Sequence, residues 1–136
     1  MRDLDRFLAA QARDYSTALG EIARGRKETH WIWYVFPQIQ GLGKSETAQL
    51  YGIRDVSEAE SYIGHPVLGP RLRAIAELLL SHAGTPAREI LGSPDDMKVR
   101  SCATLFHAAA PGEPVFRRIL DAFYDGAEDP ATLDRL

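Results

Sequence analysis

The sequence predicts an all-α protein, a compact array of about seven to nine helices in one domain spanning 1–136. Three observations carry this. Apolar residues recur at steps of three and four along most of the chain. A small polar residue followed by proline, which marks a helix start, appears at Thr85-Pro86, Ser93-Pro94 and Asp129-Pro130. The connections are short, and no fixed-period repeat, low-complexity run or linker interrupts them.

Each element follows from these signals. Leu4, Phe7, Leu8, Ala12, Tyr15, Leu19 and Ile22 predict a helix over 4–24, with Arg13-Asp14 as the one place that admits a break and Gly25 as its end. Residues 31–36 carry strand-type side chains, but Pro37 follows and no partner strand is visible, so a short buried helix capped by Thr29 is expected. Short helices are expected over 45–53 and 57–63, the second opened by a capping box of Ser57 and Glu60. His65-Pro66 starts a longer helix through Val67, Leu68, Leu72, Ile75, Ala76 and Leu79, ending near 82–84. A short helix follows over 86–91. Met97, Cys102, Leu105, Phe106 and Ala109 line the next, stopped by Pro111-Gly112. Val115, Ile119, Leu120 and Phe123 line another, stopped at Gly126, and 130–136 forms the last.

Composition excludes several function classes. A chain of 136 residues with 45% hydrophobic content buries a sufficient core without disulfides or metals. The net charge of -3 argues against general nucleic-acid binding. Cys102 is the only cysteine, so no internal disulfide forms and a Cys-based zinc site is disfavoured. His30, His65, His82 and His107 do not cluster, so no metal is expected. His65 is explained by its place before proline, and His82 as a favourable residue at its own helix's C-terminus. The charged stretch 1–5 lacks a signal-peptide core, and no apolar run approaches a membrane span. A cytoplasmic protein is the expectation.

Segment 25–45 concentrates the unusual residues. Both tryptophans, Trp31 and Trp33, lie here with Tyr34, Phe36, Lys27, His30, Gln38, Lys44 and Ser45. Read structurally, this is the aromatic heart of the core. Read functionally, ring faces wall a pocket for a flat ligand while Lys27, His30, Gln38, Lys44 and Ser45 supply polar contacts. Gly41-Leu42-Gly43-Lys44-Ser45 superficially resembles the end of a phosphate-binding loop, but the full pattern needs glycine at position 38, where Gln38 stands. A second polar cluster runs from Asp95 to His107. Asp95 and Asp96 suit a helix N-terminus. Lys98, Ser101 and Thr104 share one face, and a buried polar strip there needs partners, for which the His30 segment is the natural candidate. Cys102 reads as a small core residue ahead of a nucleophile.

Taken together, the strings His30-Trp-Ile-Trp-Tyr-Val-Phe-Pro-Gln38, Gly41-Leu-Gly-Lys-Ser45, Tyr62-Ile-Gly-His-Pro66, Thr104-Leu-Phe106 and Phe123-Tyr-Asp-Gly126 with Asp129 resemble domain-of-unknown-function family 1810 over nearly the whole chain. Ile32 stands where that family often has Met, and Ser101-Cys102-Ala103 where it often has Ser-Ser-Met. Both are core-type exchanges that leave the polar pattern intact. The resemblance implies an all-α fold and no established activity. Some members carry a calpastatin label, which does not suit this compact, well-capped chain.

The sequence supports two functional expectations without fixing whether the protein is an enzyme. The first is binding or processing of a small polar, nucleotide-like or phosphorylated molecule, with no cofactor, by Lys27, His30, Trp31, Trp33, Gln38, Lys44, Ser45, Lys98 and Ser101. In the chemistry of helical N-glycosidases, offered as analogy only, Glu28, Asp95 or Asp96 would be the carboxylate. The alternative is a protein-interaction module or homodimer without catalytic activity, motivated by apolar surface along the helix at 67–80. Neither expects a nucleic-acid or membrane partner.

Overall fold

A computed structural model describes residues 4–136, and among them nine helices and no sheet form. Residues 1–3, part of the charged N-terminal stretch read above, lie outside the described residues. In chain order the helices are α1 (Asp5–Ala23), α2 (Ile32–Val35), α3 (Glu46–Leu50), α4 (Val56–Ile63), α5 (Leu68–Leu80), α6 (Ala87–Leu91), α7 (Asp95–Ala109), α8 (Pro114–Phe123) and α9 (Pro130–Leu133). The central element is α7, which packs on α2, α4, α6, α8 and α9, while α1 lies against α2 and α5. Phe106 of α7 stands 5.4 Å from the Tyr62 ring and 5.6 Å from the Phe116 ring, joining three helices in one aromatic core.

The starts and stops depart from expectation in instructive ways. Helix α1 runs unbroken through Arg13-Asp14, because Asp14 faces outward and accepts from the Tyr34 hydroxyl. Helix α2 forms as a single turn, but Thr29 does not cap it. Trp31 holds the cap position, and the Thr29 hydroxyl turns to Glu21 at 2.6 Å. Helix α4 begins before Ser57, since Asp55 accepts from the Glu58 amide at 2.8 Å and Glu58 reaches back to the Arg54 amide at 2.9 Å. His65 does open α5, its Nδ1 accepting from the amides of Val67 and Leu68. His82 serves a different helix end from its own: Nε2 donates to the Ile22 carbonyl at 2.7 Å, closing the C-terminus of α1.

The apolar stripe of α5 is consumed internally. Leu68, Leu72, Ile75, Ala76 and Leu79 are buried against α1, α4 and α8. That packing needs a bare backbone, since a Cβ on Gly69 would sit 2.1 Å from the Ile63 carbonyl oxygen. Beyond α2 the chain makes its one departure from helix-only pairing among the described residues, a parallel bridge of Ile39 with Ile53. The Gln40 amide donates to the Ile53 carbonyl at 2.7 Å and the Ile53 amide to the Gln38 carbonyl at 2.8 Å. This clasp draws 38–43 onto 51–53. Gly52 permits it, because a Cβ there would meet the Gln40 Cα at 2.8 Å.

Candidate functional site

Two carboxylates organise the region around the tryptophans. The first is Glu21, at the end of α1 and fully enclosed. Its Oε1 accepts from the Glu28 amide at 2.8 Å, the Thr29 amide at 3.0 Å and the Trp31 indole at 2.9 Å, while Oε2 takes the Thr29 hydroxyl. Burial alone would raise its pKa, but the donors from Thr29, Glu28 and Trp31 outweigh that and hold it at about 2, against an ordinary 4.5. The second is Asp95, on the first turn of α7, which Lys27 meets at 2.8 Å and Lys98 at 3.4 Å. The Lys27 side chain is itself buried, with its ammonium 5.0 Å from the Trp31 ring centroid. The Lys98 ammonium stands 4.8 Å from the Trp33 ring centroid. Two ammonium groups thus share one carboxylate.

A cleft of about 40 Å³ opens beside Lys98, lined by Trp33, Gln38, Leu42, Gly43, Tyr51 and Gly52. It continues into a shallower groove of about 250 Å³ bordered by Pro94, Met97, Ser101, Asp129 and Ala131. Gln38, Leu42, Gly43 and Lys98 line both, so the two are parts of one depression. The clasp at Ile39 and Ile53 builds one wall and α7 the other. Gly43 keeps the first wall thin, since a Cβ there would stand 2.7 Å from that of Ala48.

The sequence-predicted residues divide into three groups. Trp33, Gln38, Lys98 and Ser101 converge on this depression. Trp31 and Lys27 lie behind it, Trp31 in the core and Lys27 as its polar neighbour. His30, Lys44 and Ser45 are exposed and line neither part. Ser45 caps α3 by accepting from the Ala48 amide at 3.1 Å, as a glycine turn entering a helix would use it. Cys102 is buried, and burial raises its thiol pKa, which suits a core residue.

Sequence reasoning passed over Asp129 and Tyr51. Asp129 lies at the N-cap of α9, and its Oδ2 accepts from the Ser101 hydroxyl at 2.8 Å and the Thr132 hydroxyl at 2.6 Å. Its amide donates to the Thr104 hydroxyl at 2.9 Å. Ser101 and Thr104 thus find their partner on α9 and not in the His30 segment. The Asp-Pro pair had a sufficient explanation as a helix start, and that masked its second use. Among the described residues no three His, Cys, Asp or Glu side chains group as metal ligands, and no helix is long and apolar enough to cross a membrane.

Comparison with known proteins agrees with this architecture. The crystal structure of the conserved hypothetical protein Rv1873 from Mycobacterium tuberculosis is similar with a TM-score of 0.96 and 43% identity, covering 98% of this chain and 96% of that one. No curated protein matches the chain. The model of DUF1810, described as a protein of unknown function, matches residues 1–136, and the chain belongs to that family.

Proposed function

We propose that the chain binds a small anionic molecule, nucleotide-like or otherwise phosphorylated, in the depression between 38–52 and α7. The observation that carries this is Lys98, whose ammonium lies over the Trp33 ring at the junction of cleft and groove. A cation held over an aromatic face beside bare glycine backbone offers charge and a flat apolar wall to the same ligand. Lys98, shared between Asp95 and the Trp33 face, is the cation that supports an anion there.

A thermal-shift screen against nucleotides, ADP-ribose, sugar phosphates and inorganic phosphate tests the reading. A ligand at 100 times its dissociation constant stabilises by about 2.7 kcal/mol, several degrees for a domain of this size. The shift is expected to vanish in Lys98→Ala and Trp33→Ala and to persist in His30→Ala. A shift that survives both cleft variants would place the ligand elsewhere.

A second reading, an interaction module or homodimer, rests on Met97, 47% exposed beside the groove, and Leu133, 44% exposed on α9. A monomer mass in solution at high concentration would remove the homodimer.

A further inference from the structure

We propose that Asp129 is a sugar-hydroxyl acceptor of this depression, and that the ligand is a pentose phosphate unit, free or as part of a nucleotide, with its phosphate at Lys98 and its ring hydroxyls at Asp129. The inference rests on the anion reading above and extends it from a charge to a bipartite ligand.

The geometry begins with the asymmetry of the Asp129 carboxylate. Oδ2 is saturated by the Ser101 and Thr132 hydroxyls. Oδ1 takes no hydrogen bond from any described residue, and it is not among the side-chain atoms sealed from solvent without a partner. Because Asp129 borders the groove, that oxygen is an acceptor held ready by its neighbours. Three contacts fix its direction: two hydroxyls on Oδ2 and the backbone bond from Asp129 to Thr104. Arg100 adds a brace from α7, donating to the carbonyls of Ala127 at 2.8 Å and Glu128 at 2.7 Å. A carboxylate immobilised in this way, with one face open, is suited to neutral donors such as hydroxyl groups.

The opposite end of the groove is cationic. Lys98 and Ser101 are three residues apart on α7, so their Cβ atoms are neighbours at about 5–6 Å. Ser101 touches Asp129, while the Lys98 ammonium reaches back toward Asp95 and Trp33, so the cation and the acceptor border the same groove at separate points. A simple inorganic anion would use only the first. A phosphate joined to a compact ring bearing hydroxyls matches both, and the apolar edges of Met97 and Ala131 border the space left for the ring. A base, where present, would extend past this unit without being required.

The test is titration calorimetry of the full chain with ribose 5-phosphate, AMP and inorganic phosphate, on wild type, Lys98→Ala and Asp129→Asn. Asparagine keeps an oxygen for Ser101 and Thr132 and turns a donor toward the groove, and circular dichroism with thermal melting confirms that it folds. Ribose 5-phosphate is expected to bind wild type at least tenfold more tightly than inorganic phosphate. Asp129→Asn should erase that advantage without weakening phosphate binding, since it removes a negative charge from the groove, and Lys98→Ala should weaken both. Equal binding of ribose 5-phosphate by wild type and Asp129→Asn would overturn the sugar assignment and leave the anion reading standing. Binding of AMP without ribose 5-phosphate would overturn it in favour of base recognition. No binding of any probe to wild type at millimolar concentration would overturn both readings.

Discussion

Trp31 and Trp33 are two residues apart, of one type and in one segment, yet they sit in opposite physical situations. Trp31 is enclosed, with its indole N–H given to Glu21 and a buried lysine beside its ring. Trp33 is half-buried, lines an open cleft and carries a lysine at the rim. In each case a lysine meets a ring, and both lysines share Asp95. The difference is what else reaches the ring. Around Trp31 every polar group of Glu21 finds a protein partner, so the cluster is complete in itself. Around Trp33 the space beside the ring is left to solvent. A polar cluster that satisfies itself stabilises the fold, and one that stops short of satisfaction is available to a ligand.

That contrast orders the expected effects of substitution. Trp31→Ala should cost most, about 3–5 kcal/mol, since it empties a packed core site and removes a donor from Glu21, and the loss would appear as a lower urea midpoint. Glu21→Gln comes next, at about 2–3 kcal/mol, because an amide cannot accept from all four donors. Glu21 also sets a pH dependence. Its folded pKa of about 2 lies below the ordinary 4.5, so its contribution is fully present above about pH 4.5 and drains away as pH falls toward 2. Acid titration of stability should therefore be shallower in Glu21→Gln than in wild type.

Lys27→Met should be milder, about 1–2 kcal/mol, as it removes the buried ammonium from Asp95 and from the Trp31 face while keeping the apolar stem. Smallest of all are the half-buried Trp33 and the exposed His30. Trp33→Ala is expected to cost about 1 kcal/mol of stability yet abolish ligand-induced stabilisation. His30→Ala should change either quantity by no more than about 0.5 kcal/mol. A large loss of stability in Trp33→Ala would erase the distinction between the two rings.

How far the sequence reveals this depends on the range of the interaction. Apolar spacing is local, and it locates the long helices α1, α5, α7 and α8, while the proline starts are off by one residue at α6 and α7, where Pro86 and Pro94 themselves hold the cap positions. The capping errors at Thr29 and Ser57 are also local, since several residues nearby can cap and only the fold decides among them. The site is less legible. Segment 25–45 stands out by composition, but composition does not say that Trp31 turns inward, that Trp33 meets Lys98 across 65 positions, or that His30 faces solvent. Those outcomes depend on packing between α2 and α7. Asp129 is hidden further, because its local role as a helix start already accounts for it.

The two indoles also supply the most direct measurement. The chain holds two tryptophans, so an amide correlation spectrum of the 15N-labelled protein shows two indole N–H signals, assigned by Trp33→Phe. On titration with ribose 5-phosphate, the account predicts that the Trp33 signal moves progressively and the Trp31 signal, fixed on Glu21, stays in place. A titration in which Trp33 does not respond, or in which Trp31 alone does, would contradict it.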